Sequence, residues 1–166
     1  MPAEFMHVFE EKFNLKLLEG YGLTEASPVC SFNRFDQVYK PGSIGTAITG
    51  VEIKIGDDQG RELPRNQIGE LIVRGENVMQ GYYKNEAATA AVIKNGWLHT
   101  GDLGRMDEDG YIFITGLKKR MIITSGFNVY PLEVETVLNG HPAVKAARVS
   151  GKEDLMRGEI VKAYVI

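Results

Sequence analysis

Residues 69–75 read Gly-Glu-Leu-Ile-Val-Arg-Gly. Three consecutive aliphatic side chains bounded by polar residues and glycines describe a short strand of the buried type. Outward from it the pattern stays strand-like, from about 42 to 115. Val51, Ile53 and Ile55 alternate with Glu52 and Lys54, the period-two signature of a half-buried strand. Asp57-Asp58-Gln59-Gly60 reads as a turn, and Asp107-Glu108-Asp109-Gly110 as a hairpin turn leading into the strand Tyr111-Ile112-Phe113-Ile114. One helix interrupts this region. Asn85 caps it, Glu86 suits its positive first turn, the alanine-rich stretch carries it to Ile93, and Asn95-Gly96 ends it.

The flanks have a different style. Residues 3–13 read as a helix, with Phe5, Phe9 and Phe13 at i, i+4 and i+8, Met6 and Val8 beside them, and Pro2 suited to its start. Residues 14–18 read as a short strand, followed by a glycine turn at Gly20 and Gly22. After Gly116 come a strand at Met121-Ile122-Ile123, a turn at Ser125-Gly126, and a helix opened by Pro131. Glu133 and Glu135 favour the N-terminal end of that helix, Val134, Val137 and Leu138 form its apolar stripe, and Asn139-Gly140 stops it. Residues 144–149 and 160–166 read as two more strands. The fold class expected is therefore α+β. The chain stops on Ala-Tyr-Val-Ile in mid-strand, so a slice of a larger protein is expected.

Composition excludes several classes. The 166 residues are 43% hydrophobic and 25% charged, a globular balance. Lys and Arg number 19 against 22 Asp and Glu, and the only dense basic stretch is Lys118-Lys119-Arg120, so no nucleic-acid footprint is present. The single cysteine, Cys30, rules out an internal disulfide framework and supplies too few thiolates for a structural zinc site. No apolar run has the length of a membrane span and no signal sequence opens the chain, so a reducing cytoplasm is the simplest compartment. Glycine is in excess, at 19 residues, which points to tight turns and close backbone approaches.

Four glycine-punctuated polar segments can carry chemistry. Gly20-Tyr21-Gly22-Leu23-Thr24-Glu25 sets a ring, a hydroxyl and a carboxylate on one tight loop, able to stack a base, bond a phosphate and hold Mg²⁺; it also reads as an ordinary turn with Thr24 and Glu25 opening a helix. It is neither a Walker A loop nor a dinucleotide fingerprint. Gly96-Trp97-Leu98-His99-Thr100-Gly101-Asp102 places an acid on a glycine turn, where Asp102 can accept from a ribose diol or from its own backbone; His99 reads as a structural hydrogen-bonder. Gly116-Leu117-Lys118-Lys119-Arg120 offers cations to phosphate or to solvent, and Ser125 to Pro131 either lines a channel or joins strand to helix.

Taken together, the set resembles the adenylate-forming enzymes, and most closely the long-chain fatty-acid–CoA ligases. The stretches that carry the resemblance are Tyr-Gly-Leu-Thr-Glu (21–25), Lys-Pro-Gly-Ser-Ile-Gly (40–45), Gly-Glu-Leu-Ile-Val-Arg-Gly (69–75), Val-Met-Gln-Gly-Tyr-Tyr (78–83), Gly-Trp-Leu-His-Thr-Gly-Asp (96–102) and Ser-Gly-Phe-Asn-Val-Tyr-Pro-Leu-Glu-Val-Glu (125–135). The resemblance implies a β-barrel-like subdomain of a large domain, ending at about residue 116, then the first part of a small C-terminal lid over 117–166. Within the first part, residues 1–18 would be a remnant of the large domain's α/β layer and 42–115 its β-rich subdomain.

It also implies two half-reactions: a carboxylate attacks the α-phosphorus of ATP to give acyl-AMP and pyrophosphate, then the CoA thiol displaces AMP. Tyr21 would stack on adenine, Thr24 would bond phosphate, Glu25 would hold Mg²⁺, and Asp102 would bind the ribose. Gly20 and Gly22 would let backbone approach the adenylate and acyl group, Lys119 would be the lid hinge, and Gly126 would face the pantetheine of CoA. ATP, Mg²⁺, CoA and a fatty acid are the small molecules implied, with peripheral membrane association of the parent. An aryl-CoA ligase, an amino-acid-activating domain or a non-catalytic nucleotide- or partner-binding module are the alternatives.

The chain departs from the family pattern at Leu117, where an arginine is usual, and at Arg120, where an acid is usual. The family's phosphate loop and catalytic lysine would fall outside residues 1–166, so the fragment alone is expected to be inactive. Apolar faces left by missing neighbours, on the Phe5/Phe9/Phe13 helix and near Ile166, are expected to drive homo-oligomerisation.

Overall fold

The computed structural model describes residues 3–166, with the side chains of residues 3–5 and 7 left out. The suggested helix start at Pro2 and the ring of Phe5 therefore lie outside the described residues. Helix α1 is Ala3–Phe13, and Asn14 leaves it in the left-handed region at φ 50°. The strand expected over 14–18 is not formed. That segment folds back instead, and the Leu17 amide donates to Glu10 Oε1 at 3.1 Å.

Strands β1 (Gly20–Gly22), β2 (Val29–Phe32) and β3 (Thr46–Ala47) make a small antiparallel sheet. Strands β4 (Val51–Gly56), β5 (Gly69–Gly75), β6 (Ile93–Lys94), β7 (Trp97–Met106) and β8 (Ile112–Leu117) make a second sheet, ordered β4-β5-β7-β6 with β8 also on β7. Its register sets Ile53 opposite Val73 and Ile55 opposite Leu71. Helix α2, Glu86–Val92, starts where expected: Asn85 Oδ1 accepts the Ala88 amide at 3.0 Å. It ends earlier than expected. Ile93 is already extended and pairs with Leu98, so Asn95-Gly96, both at positive φ, is the β6–β7 hairpin turn and not a helix stop.

Two core clusters fill this part of the chain. Ala26, Cys30, Val73 and Leu98 form one, and Ile55, Leu71, Met106 and Ile112 the other. Tyr21 and Ile53 pack against both. Full burial of each aliphatic side chain is worth about 1.5–3 kcal/mol. The 40–45 motif is tied down by polar contacts: Lys40 Nζ donates to Asp107 at 2.5 Å and Asp109 at 2.6 Å, and Asn33 Nδ2 donates to the Ser43 carbonyl at 2.7 Å.

A third sheet, ordered β10-β9-β12-β11, contains β9 (Ile122–Thr124), β10 (Phe127–Val129), β11 (Ala147–Asp154) and β12 (Gly158–Val165). Helix α3, Pro131–Asn139, packs on β11. The expected apolar stripe of α3 is only partly used. Val137 is 78% exposed, whereas Glu135 is 8% exposed and turned inward. Strand β11 begins three residues later than read and runs through Gly151 to Asp154, because the hairpin turn sits at 155–157.

The backbone divides into two compact units. One takes the chain up to Thr100 together with Gly104–Ile114, and the other joins Gly101–Leu103 to Thr115–Ile166.

Candidate functional site

The Tyr21–Glu25 segment is a strand end followed by one tight turn. β1 pairs with β2 with a register break between Tyr21 and Gly22, and a 3₁₀ turn follows at Thr24–Ala26. The Leu23 amide donates to the Pro28 carbonyl at 2.8 Å, and Ser27 closes the turn at φ 52°. Gly22 is required sterically: a Cβ there would overlap the Pro28 carbonyl. A Cβ on Gly20 would press on the Phe32 ring at 2.5 Å. These two glycines thus let the chain's own strands approach each other. Tyr21 is half-buried against the two core clusters, Thr24 is exposed and Glu25 half-buried.

A strap over residues 77–82 holds that turn. Asn77 Nδ2 donates to the carbonyls of Ala26 at 2.9 Å and Val29 at 2.8 Å. The Met79 amide donates to the Glu25 carbonyl at 2.8 Å. The Tyr82 hydroxyl donates to Glu25 Oε1 at 2.8 Å, and that hydrogen bond raises the Tyr82 phenol above its usual pKa. Asn77 and Tyr82 have no role in the sequence reading. The Val78–Tyr83 stretch stands out there only as a motif, since no spacing rule links residue 82 to residue 25.

Among the described residues no group of three His, Cys, Asp or Glu could hold a metal by itself. A lone half-buried carboxylate such as Glu25 suits Mg²⁺ held by one protein oxygen, substrate phosphates and water.

Asp102 is half-buried and lies within strand β7, not on a turn as expected; Gly101 before it takes φ 76°. His99 accepts the structural role read for it, its Nδ1 lying 3.1 Å from Glu70 Oε2 with both side chains nearly buried. In the second unit, Lys119 is exposed in a 3₁₀ turn, Lys118–Arg120. Gly126 sits in the β9–β10 hairpin turn at φ 83°, with open space where a Cβ would point. The expected channel segment from Ser125 to Pro131 contains strand β10, so it is more than a strand-to-helix connection.

Comparison with known proteins identifies the family. Residues 1–83 match the AMP-binding enzyme family, and residues 133–166 match the AMP-binding enzyme C-terminal domain. The long-chain-fatty-acid–CoA ligase of Escherichia coli O6:H1 is 49% identical over 150 residues, covering 90% of this chain and 27% of that protein. The long-chain-fatty-acid–CoA ligase of Bacillus subtilis is 45% identical over 167 residues, covering 100% of this chain and 30% of that protein. ATP-bound MatB from Rhodopseudomonas palustris superposes with a TM-score of 0.92 at 38% identity, over 98% of this chain and 33% of that one. The chain thus spans under a third of each of these two curated ligases. Its α+β architecture is that of the acyl-CoA synthetase-like enzymes, and the chain belongs to the AMP-binding enzyme family.

Proposed function

We propose that this chain is the part of a long-chain fatty-acid–CoA ligase that carries one wall of the adenylate site and the start of the lid. The observation that carries the proposal is the 45% identity to such a ligase along the whole chain, together with the strapped Thr24–Glu25 turn. The parent would convert a fatty acid, ATP and CoA to acyl-CoA, AMP and pyrophosphate.

The physical problem is that carboxylate and triphosphate are both anions. Bound Mg²⁺ would neutralise phosphate charge as the carboxylate attacks the α-phosphorus. Glu25 is the residue that would hold it. Thr24, exposed beside it, would donate its hydroxyl to a phosphate oxygen. Tyr21 would offer a ring face to adenine while its other contacts stay in the core. Asp102 would accept from the ribose hydroxyls, since its two carboxylate oxygens can take one hydrogen bond from each. Gly20 and Gly22 would bring backbone, without side chains, up to the adenylate and the acyl group.

Residues up to 116 would belong to the large domain and 117–166 to the lid. Lys119, itself exposed in a short 3₁₀ turn, would be the hinge. Gly126, with nothing beyond its Cα, would leave room for pantetheine. Exposed Phe13 and Ile166 favour association of copies of the fragment. No helix among the described residues is long and apolar enough to cross a membrane.

The test is a chimera in which these 166 residues replace the matching segment of the Bacillus subtilis ligase. Formation of acyl-CoA from a long-chain fatty acid, ATP and CoA is expected, whereas the isolated chain is expected to form none.

A further inference from the structure

Glu25 is held on one side only. Its Oε1 accepts from Tyr82, and its Oε2 has no hydrogen-bond partner among the described residues. A carboxylate on a half-exposed turn rotates freely unless something fixes it, and rotation would blur the position of any cation it meets. Tyr82 is itself well anchored. Its amide donates to Thr89 Oγ1 at 2.9 Å, and that hydroxyl donates to the Asn85 carbonyl at 2.9 Å, inside the capped first turn of α2. A continuous path therefore runs from a helix cap, through Thr89 and Tyr82, to the Glu25 carboxylate, 57 residues away in sequence.

We propose that Tyr82 is the positioning residue for Glu25: it fixes Oε1 and leaves Oε2 directed to the Mg²⁺–nucleotide. This rests on the reading of Glu25 given above. The partner that orients a metal ligand typically matters 10–100-fold in metal affinity or activity. Tyr83, next in sequence, is 87% exposed and makes no hydrogen bond to Glu25, so it serves as the control.

Two measurements test it. The first is the side-chain carboxyl ¹³C resonance of Glu25 in the 166-residue chain, identified by its loss in Glu25→Gln. It is expected to move in Tyr82→Phe and to stay in place in Tyr83→Phe; an unmoved resonance in Tyr82→Phe overturns the proposal. The second is ATP–pyrophosphate exchange by the chimera as Mg²⁺ is varied. Tyr82→Phe is expected to raise the Mg²⁺ needed for half-maximal rate about 10-fold, with KM for the fatty acid unchanged and no further change in a Glu25→Gln background. Equal Mg²⁺ dependence in both proteins also overturns it. A chimera that is inactive with Tyr82 in place counts against the ligase reading, and the Glu25 resonance then decides the role of Tyr82 alone.

Discussion

The guanidinium of Arg120 donates to Oε1 of Glu135 at 2.7 Å, and the same oxygen accepts the Val149 amide at 2.8 Å. One inward-turned carboxylate on α3 therefore ties the 3₁₀ turn that holds Lys119 to α3 and β11. The resemblance implies an acid at position 120, and the guanidinium that stands there is answered inside the fold by Glu135. Returning the acid with Arg120→Asp is expected to destabilise this chain, because it sets two carboxylates against each other. Glu135→Ala leaves the buried Val149 amide without an acceptor, at a cost of about 1–3 kcal/mol. Chemical denaturation of the two variants against wild type measures both effects.

The same carboxyl makes stability depend on pH. Burial alone would raise the Glu135 pKa, but the Val149 amide and the Arg120 guanidinium outweigh it and hold it below the usual value. A lowered folded pKa gives stability that is complete above the unfolded value, about 4.3, and is lost as pH falls through the folded value. Asp107 behaves alike: burial opposes, while Lys40 and the amides of Tyr111 and Asp109 prevail. Melting temperature is expected to be flat near neutrality and to fall on acidification below the usual carboxylate range. The fall should be shallower in Glu135→Gln.

Cys30 is fully buried in the first core cluster, and burial pushes its thiol up to about 11. The thiolate is the reactive form. A disulfide reagent at neutral pH is expected to leave Cys30 unmodified in the folded chain and to label it fully in denaturant. Rapid labelling of the native chain would contradict this packing.

Gly22→Ala is expected to displace the Tyr21–Glu25 turn, since the added methyl collides with the Pro28 carbonyl. Gly126→Ala meets no atom and strains only the backbone, by about 1–2 kcal/mol for the left-handed conformation. Hydrogen exchange separates the two. In Gly22→Ala the Leu23 and Met79 amides should lose protection, whereas in Gly126→Ala they should keep it.

Leu117 ends β8 with 38% of its surface exposed and has no polar atom to offer a nucleotide. An arginine there would add charge-assisted hydrogen bonds, each worth about 1.5–3 kcal/mol. Leu117→Arg in the chimera is expected to raise acyl-CoA formation roughly tenfold or more, by the same energies. An unchanged rate would show that this position lies away from the reacting groups.

Strands marked by aliphatic side chains were legible from sequence, by alternation at Val51–Gly56 and by a consecutive run at Gly69–Gly75. So was the Asn85 cap, because its hydrogen bond is local. Asn95-Gly96 was misread because the dipeptide serves equally as helix stop and hairpin turn; the choice was made by Ile93 pairing with Leu98. Glu135 was read as a helix-end charge because its partners, Arg120 and Val149, lie 15 and 14 residues away. The contact of Tyr82 with Glu25 was not legible for the same reason at greater range, although residues 78–83 stand out as a motif. The loop bearing Thr24 and Glu25 was picked out by its residue types, while what holds it required coordinates.

The most direct test of the account is thioester formation by the chimera that carries these 166 residues. Long-chain acyl-CoA, produced only when fatty acid, ATP, Mg²⁺ and CoA are all supplied and strongly reduced by Glu25→Gln, is the predicted result. A folded chimera that makes no acyl-CoA, either as built or with Leu117→Arg, would contradict it.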